Sequence, residues 1–306
     1  MNDQADPERL GAFLEHRPRL LRLAYRHLGA VADAEDVVQE AWLRFDGAGE
    51  VRNAPGLLST IVTRLCLDRM KSTRARRETY VGEWLPEPVS DASFETEDNA
   101  ALDISFAVMR ALERLSPAER AAYFLHDLWD LPFEEIARTL SRSPAACRKL
   151  ASRARAGLAE ARQRFQPSRD DVDRLVAAFR ISVEAGDPSR LKSLLAEDAE
   201  LVSDGGGKAL AALKTIHGAD AVCRFLVGIG RKAGHPGQIT VQHALINDQP
   251  GLLVSIDGHV DQTLAFDLDA ARRIRSVYVV RNPDKLTRLT PTRLSGQVPA
   301  HGSFRI

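Results

Sequence analysis

Residues 131–157 have the sequence LPFEEIARTLSRSPAACRKLASRARAG, which contains two amphipathic helical patterns. The apolar face of the first pattern consists of Phe133, Ile136, Ala137 and Leu140. Ser143-Pro144 begins the second pattern with an N-cap serine and a proline at the first helical position. Because only residues 141–143 separate the two, we predict a helix-turn-helix whose recognition helix covers residues 144–157.

The outward face of this recognition helix is basic. It carries Arg148, Lys149, Ser152 and Arg155, and Arg142 and Arg153 flank it. A helix in the major groove needs such side chains to reach base edges and phosphates. An ordinary helical hairpin with a solvated basic face has the same pattern, so the pattern alone leaves both interpretations open.

Charge is unevenly distributed along the 306 residues, although 42 basic residues balance 42 acidic ones. The first basic cluster contains Arg64, Arg69, Lys71, Arg74, Arg76 and Arg77, and the second contains Arg142, Arg148, Lys149, Arg153, Arg155, Arg162 and Arg164. Residues 83–103, between the clusters, include seven acidic and no basic residues. This distribution predicts two separate contacts with a polyanion such as DNA.

The N-terminal part is predicted to be helical, with one face suited to a protein partner. An apolar stripe of Ala34, Val37, Val38, Ala41, Trp42 and Phe45 follows Asp33, which can cap the helix. The opposite face carries Asp36, Gln39, Glu40 and Leu43. A leucine among acids hints at a partner, but a solvated acidic face fits the pattern better when it is taken alone. A third helix follows Pro55 and ends in the first basic cluster, where arginines also complement the helix dipole.

Beyond Pro167 the pattern changes to that of an α+β domain with a curved antiparallel sheet. One strand ends at Asp204, and four more are predicted near 238–247, 251–257, 259–268 and 273–281. Their turns are assigned to 249–251, 257–258 and 267–271. Residues 81–99 form a predicted linker, in which the stiff, apolar segment 84–88 is expected to dock on another surface.

Composition indicates a globular cytoplasmic protein, with 44% hydrophobic and 27% charged residues. No apolar run approaches the roughly 20 residues that span a bilayer, and residues 1–9 lack a signal-peptide core. Cys66, Cys147 and Cys223 are expected to be reduced core residues, because they are few and far apart. No catalytic group, metal site or cofactor is predicted.

Several motifs resemble, in order and spacing, the extracytoplasmic-function (ECF) sigma factors of bacterial RNA polymerase. They are Asp36-x-x-Gln39-Glu40-x-Trp42, the helix after Pro55, Leu115-Ser116-Pro117, Glu135-Ile136-Ala137 and Arg153-Ala154-Arg155, within residues 10–165. Three further pentapeptides resemble the signature motifs of the subgroup with a fused SnoaL-like domain. They are Trp84-Leu85-Pro86-Glu87-Pro88, Asp204-Gly205-Gly206-Gly207-Lys208 and Asn282-Pro283-Asp284-Lys285-Leu286.

This resemblance implies two all-α sigma domains, the second with the helix-turn-helix, and a cone-shaped α+β SnoaL-like domain. The implied boundaries are 1–80 for sigma region two, 81–105 for the acidic linker, 106–166 for sigma region four, 167–290 for the SnoaL-like domain and 291–306 for a tail. The implied function is promoter recognition and transcription initiation with core RNA polymerase.

The resemblance also implies residue roles. Asp36, Gln39, Glu40 and Leu43 would bind the clamp helices of the polymerase β′ subunit, and region four would meet the β flap. The minus-ten element would be held by Arg52, Asn53, Arg64, Arg69, Lys71, Arg74, Arg76 and Arg77. The minus-thirty-five element would be read by Arg142, Arg148, Lys149, Ser152, Arg153 and Arg155. Many family members have asparagine where Leu65 stands, so no base contact is assigned there.

Control in cis is expected from the three signature motifs, through Trp84, Leu85, Pro86, Asp204, Gly205, Gly206, Gly207, Lys208, Asn282, Pro283, Asp284 and Lys285. A separate anti-sigma protein is then not expected, and the unbound chain should be a monomer. Whether the SnoaL-like domain binds a small ligand is left open, as is the direction of its effect.

Two other functions fit part of the pattern. A ligand-sensing SnoaL-like enzyme fused to a DNA-binding module would draw on Asp187, Asp198, Asp204, His217, His243, Asp257 and His259 as acid–base groups. None of these forms a recognisable pair by spacing. A stand-alone repressor would bind its operator without polymerase, whereas basic clusters on two domains favour a polymerase-dependent factor.

Overall fold

The computed structural model describes residues 6–90, 103–162, 174, 176–179, 181–182, 185–232 and 238–290. The side chains of residues 71–78, 160, 162 and 229–232 lie outside this description. The chain forms two compact units, Met1–Thr79 with Asp91–Arg162 and Tyr80–Ser90 with Gln163–Ile306. The linker segment Tyr80–Ser90 therefore belongs to the C-terminal unit.

The first unit is helical throughout. Its helices are α1 Pro7–Leu28, α2 Val31–Asp46, α3 Ala54–Glu78, α4 Phe106–Glu113, α5 Pro117–Tyr123, a π-helix at Phe124–Leu128, α6 Phe133–Leu140 and α7 Pro144–Arg162. Helices α1, α2 and α3 pack on one another, and α7 packs on α4, α5 and α6. Within the described residues, no helix is both long and apolar enough to cross a membrane.

Local sequence explains where these helices start and stop. Asp6 caps α1 by accepting a hydrogen bond from the Glu8 N–H, and Gly29 ends the helix with φ 72°. Ser116 and Glu119 form the reciprocal capping box at the start of α5. Their hydrogen bonds hold the pKa of Glu119 below its usual value.

The helix-turn-helix has the predicted build. Helix α6 ends at Ser141, a residue in the left-handed region at φ 53°, and the Ser143 hydroxyl accepts a hydrogen bond from the Ala146 N–H at 3.2 Å. The inner face of α7, predicted to be small and apolar, is fully buried and consists of Cys147, Ala151, Ala154 and Leu158. This close packing leaves the basic face of α7 outside.

The second unit is an α+β domain, as expected. It contains helical residues 176–179, then α8 Pro188–Leu194, β1 Leu195–Asp204, β2 Ile216–His217, α9 Ala219–Lys232, β3 Ile239–Ile246, β4 Gln249–Ile256, β5 His259–Leu268 and β6 Ile274–Val280. The sheet order is β2-β1-β6-β5-β4-β3. The expectation of a purely antiparallel sheet is wrong for one pair, because β1 runs parallel to β6. The long connection between these strands, which includes α9 and four strands, permits that pairing.

One predicted turn is also wrong. Residues 249–251 lie in β4, and the β3–β4 turn is formed instead by Asn247 and Asp248, at φ 54° and 59°. Two central residues with positive φ suit a tight hairpin, and Asn and Asp tolerate that conformation better than other side chains. Pro250 can then pair with Leu245 in the strand.

One face of the sheet forms the core of this unit with α8 and α9. The cluster includes Phe179, Leu201, Val222, Phe266 and Val277, and the rings of Phe179 and Phe266 meet edge to face at 4.8 Å. The other face also contributes buried side chains, among them Val202, Leu253, Tyr278 and Val280. Linker residues 85–89, which are apolar except for Glu87, are buried within the same unit.

Candidate functional sites

The most elaborate polar cluster in the second unit surrounds Asp204, the last residue of β1. Its carboxylate is fully buried. It accepts hydrogen bonds from the Tyr80 hydroxyl at 2.5 Å and the Leu85 N–H at 2.9 Å, and it pairs with the Lys285 ammonium at 2.7 Å. A buried charge is tolerated when paired and hydrogen-bonded in this way. We call Tyr80, Leu85, Asp204, Asn282 and Lys285 the linker lock.

Lys285 connects the linker to the end of the sheet domain. Its ammonium donates to the Leu85 carbonyl at 2.5 Å and lies 4.4 Å from the ring centroid of Trp84 and 4.9 Å from that of Tyr80. Two aromatic faces and one carboxylate thus surround the cation, an arrangement that strengthens when water is excluded. Lys285 thus contacts Tyr80, Trp84 and Leu85 of the linker as well as Asp204 of β1.

Asn282 completes the lock. Its side-chain nitrogen donates to the Tyr80 hydroxyl at 2.8 Å, and its oxygen accepts the Asp284 N–H at 3.1 Å, which starts the 3-10 helix Pro283–Lys285. Burial and the hydrogen bond to Asp204 raise the pKa of Tyr80 above its ordinary value. Tyr80 therefore stays a protonated donor.

The loop Gly205-Gly206-Gly207, which follows β1, allows this close packing. Gly206 has φ 58°, and a Cβ there would lie 2.3 Å from the Asn282 side-chain nitrogen. Gly207 has φ 71° and faces Val81. A side chain at Gly206 would separate the loop from Asn282, so the glycines serve a close approach of linker and loop. Lys208 is different, because it pairs with Asp284 at 2.5 Å where both side chains are more than half exposed.

A second anchor holds the other end of the linker segment. The Val89 N–H donates to the Asn247 side-chain oxygen at 2.8 Å, and the Asn247 N–H donates to the Val89 carbonyl at 2.8 Å. Both Val89 and Asn247 are buried. The segment is thus fixed at the end of β1 and at the β3–β4 turn, whose strands lie three and four positions from β1 in the sheet order.

The three signature motifs do meet in the second unit, through Leu85, Asp204 and Lys285. Sequence reasoning missed Tyr80 and Asn247, which lie outside the motifs. Tyr80 directly precedes the linker, and Asn247-Asp248 is a turn signal that was overlooked in favour of Pro250-Gly251.

In the first unit, α2 presents the acidic face that the sequence predicts. Asp36, Gln39, Glu40 and Leu43 are all exposed, and 67% of Leu43 is accessible. Arg69 of α3 contacts this face through Asp36 at 2.8 Å and also pairs with Asp33 at 3.2 Å. An apolar side chain this exposed between acids is typical of a protein-binding surface.

The residues assigned to the minus-ten element are only partly described. Arg52 and Arg64 are exposed, whereas the Asn53 side-chain oxygen accepts the Gly56 N–H at 3.0 Å and so caps α3. Arg69 is occupied by the two acids of α2. The side chains of Lys71, Arg74, Arg76 and Arg77 lie outside the described residues.

The residues assigned to the minus-thirty-five element share one exposed surface of α7 and the preceding turn. They are Arg142, Arg148, Lys149, Ser152, Arg153 and Arg155. Asp127 of the π-helix accepts two hydrogen bonds from Arg155, at 2.6 and 3.1 Å, and these bonds raise the pKa of Arg155. The two-bond geometry fixes Arg155 on α7.

The groups considered for acid–base catalysis are mostly on the surface. Asp198, His217, His243, Asp257 and His259 are exposed, and His217 and His243 lie on the opposite edge strands β2 and β3. Asp187 caps α8 and Asp204 belongs to the linker lock. No group of three His, Cys, Asp or Glu side chains within the described ranges could hold a metal ion. The three cysteines are buried, as predicted.

Comparisons with known proteins agree with this division of the chain. The model of Sigma-70 region 2 matches residues 12–76, and that of Sigma-70, region 4 matches residues 105–158. Helical regions of these two kinds, with a helix-turn-helix in the second, define a sigma factor.

Individual relatives indicate which kind of sigma factor the chain resembles. The chain is 39% identical over 284 residues to "ECF RNA polymerase sigma factor SigJ" of Mycobacterium tuberculosis, covering 89% of this chain and 91% of that protein. It is 32% identical over 285 residues to "Probable ECF RNA polymerase sigma factor SigI" of the same species, covering 90% and 93%. The crystal structure of M. tuberculosis SigJ matches with a TM-score of 0.72 at 36% identity, covering 91% and 98%.

The chain therefore belongs to the ECF RNA polymerase sigma factors. The family resemblance seen in the sequence is confirmed, and so is the combination of two helical sigma regions with a C-terminal α+β domain. A fused enzyme as the primary function is not favoured.

Proposed function

We propose that this sigma factor recognises promoters with regions two and four and is controlled in cis by capture of the linker that joins them. The supporting observation is the linker lock, in which the buried Asp204 binds both Tyr80 and Leu85. A linker segment bonded to the sheet domain cannot at the same time line a channel of the polymerase. Capture therefore lowers transcription, and release raises it.

The α2 face carries the proposed contact with core polymerase. Asp36, Gln39, Glu40 and Leu43 would bind the β′ clamp helices, with the exposed Leu43 entering an apolar site and the acids facing basic side chains. Buried apolar anchors supply affinity, and complementary rim charges supply orientation. Region four would contact the β flap.

Promoter DNA is the second proposed partner. Arg52 and Arg64, on the loop before α3 and on α3, are exposed where the minus-ten element would bind. Arg148, Lys149 and Ser152 on α7 would read the minus-thirty-five element from the major groove. A chain that binds promoter DNA and polymerase would act in the cytoplasm.

We further propose that the C-terminal unit acts by binding and not by catalysis. Its core is filled by apolar side chains such as Phe179, Leu201 and Phe266. The exposed positions of His217, His243 and His259 leave them apart from one another. Control by the chain's own linker makes a separate anti-sigma protein unnecessary.

Run-off transcription from fragmented genomic DNA tests the proposal. Purified core polymerase with this protein should give discrete new transcripts, and aligning their start sites should reveal both promoter elements. A chain shortened after Lys208 lacks Lys285 and Asn282, so it should transcribe more from the same promoters. If neither form bound core polymerase or produced a transcript, the proposed function would be wrong.

A further inference from the structure

The loop that joins α2 to α3, residues 47–53, is held at its start by Arg9 of α1. The Arg9 Nη1 donates to the carbonyls of Asp46 at 2.5 Å and Ala48 at 2.6 Å. Its Nη2 donates to the Gly49 carbonyl at 2.8 Å. One side chain from the first turn of α1 thus binds both the end of α2 and the first residues of the loop.

These bonds satisfy carbonyls that α2 leaves open at its end. The last carbonyls of a helix have no partner within it and carry partial negative charge. The Arg9 Nη1 also lies 3.2 Å from the Phe45 carbonyl in the last turn of α2. Hydrogen bonds from a cation are roughly twice as strong as neutral ones, and only 22% of the Arg9 side chain is exposed. Arg9 therefore fixes the path by which the backbone leaves α2.

Arg9 is itself supported by the packing of α1 on α2. Phe13, one turn further along α1, is 6% exposed, and its ring centroid lies 5.1 Å from that of Trp42 on α2. Asp6, the N-cap of α1, lies 3.6 Å from the Arg9 Nε. A side chain presented from a docked helix loses less freedom when it makes its bonds. The guanidinium therefore meets the loop from a rigid support.

The end of the loop is fixed by Asn53. Its side-chain oxygen accepts the Gly56 N–H at 3.0 Å, and its carbonyl accepts the Leu57 N–H at 3.0 Å. Between the two anchors, Glu50 and Arg52 remain on the surface, with 79% and 87% of their side chains exposed. The loop is thus held at both ends and open to a partner in the middle.

We propose that Arg9 is a positioning residue for promoter recognition, which holds residues 47–53 in the shape that binds bases of the minus-ten element. The proposal rests on the proposed contact of Arg52 with that element. An ordered loop loses little conformational entropy on binding, whereas a free loop must be ordered by the DNA at a cost in affinity. Discrimination between bases also needs groups held at fixed positions. Arg9 acts through the loop and needs no contact with DNA of its own.

Binding of single-stranded minus-ten DNA by the holoenzyme tests this role. The probes are non-template-strand oligonucleotides with the minus-ten element of a promoter mapped by run-off transcription, and copies with each base of the element changed in turn. Arg9→Ala should lower affinity for the native element about tenfold and should bind the changed copies nearly as well. Arg17→Ala removes the same charge at an exposed position of α1 and should keep wild-type affinities. Arg9→Lys keeps the charge without the planar fork, so it should recover part of the loss.

Two further measurements separate positioning from general stability. Arg9→Ala should speed amide exchange in peptides covering residues 46–53 and leave residues 57–70 of α3 unchanged. In an Arg52→Ala background, Arg9→Ala should lower affinity little further, because the side chain that the loop positions is gone. Faster exchange throughout region two, or fully additive losses of affinity, would overturn the proposal.

Failure of the proposed function gives a different result. If the wild-type holoenzyme did not distinguish the native element from the changed copies, the promoter contacts and the positioning role would both be wrong. If the wild type distinguished them and Arg9→Ala did so equally well, the positioning role alone would be overturned.

Discussion

Leu85 donates its backbone N–H to the buried carboxylate of Asp204 at 2.9 Å, across 119 positions of sequence. The bond joins the middle of the linker segment to the end of β1 within the second unit. Because the donor is a backbone group, almost any residue at position 85 could make it. The specificity lies in Asp204, whose charge Lys285 balances at 2.7 Å.

The first prediction concerns the stability of this pair. Asp204→Ala should lower the free energy of unfolding of the C-terminal unit by about 3–5 kcal/mol, because it leaves the Lys285 ammonium largely buried without its partner. Urea denaturation of the full chain measures this change. The double variant Asp204→Ala with Lys285→Met should recover part of the loss, since the unpaired charge is gone.

Lys208→Met is the control for the Asp204→Ala and Lys285→Met variants. Lys208 and Asp284 also form an ion pair, but their side chains are 56% and 62% exposed. Breaking it should cost no more than about 1 kcal/mol. Equal losses for Asp204→Ala and Lys208→Met would contradict the assignment of the buried pair as the stabilising one.

The second prediction concerns hydrogen exchange at the two linker anchors. Asp204→Asn should speed amide exchange at Leu85, because the neutral amide is a weaker acceptor than the carboxylate. Asn247→Ala should instead speed exchange at Val89, whose N–H loses its acceptor. Mass spectrometry of peptides covering residues 80–90 measures both. Unchanged exchange in both variants would show that the linker is not held by these side chains.

A third prediction tests the recognition helix. Arg148→Ala and Lys149→Ala should each weaken binding of the holoenzyme to its promoter by about 1–3 kcal/mol if a base contact is lost. If only a phosphate contact is lost, the slope of the logarithm of the binding constant against the logarithm of the salt concentration should become shallower by about one per substitution. Arg138→Ala, at a position on α6 whose side chain is 76% exposed, is the control. Unchanged promoter preference after both α7 substitutions would contradict the assignment of α7 as the recognition helix.

Sequence alone predicted the elements that depend on local chemistry. The Ser116–Glu119 capping box, the Ser143-Pro144 start of α7 and the buried small face of α7 follow from spacing, and all are found. The β3–β4 turn was misplaced because Pro250-Gly251 gives a strong turn signal, whereas Asn247 and Asp248 form the turn by adopting positive φ.

Long-range partners were harder to predict. The Asp204, Trp84 and Lys285 motifs pointed to a shared surface, but nothing local indicates that Tyr80 donates to Asp204 or that Asn247 pairs with Val89. The pairing of Arg155 with Asp127 is similar. A basic residue on an outward face has the same pattern whether it meets DNA or a carboxylate of its own domain, so only the folded chain distinguishes the two.

Transcription by the lock variant tests the central claim most directly. Core polymerase and a mapped promoter are combined with the wild type, with Asp204→Asn, and with Asp198→Asn, an exposed aspartate of the same strand. Asp204→Asn weakens the hold on Tyr80, Leu85 and Lys285, so it should raise transcript yield about tenfold, while Asp198→Asn should match the wild type. Equal yields from all three proteins would contradict control of this sigma factor by capture of its linker.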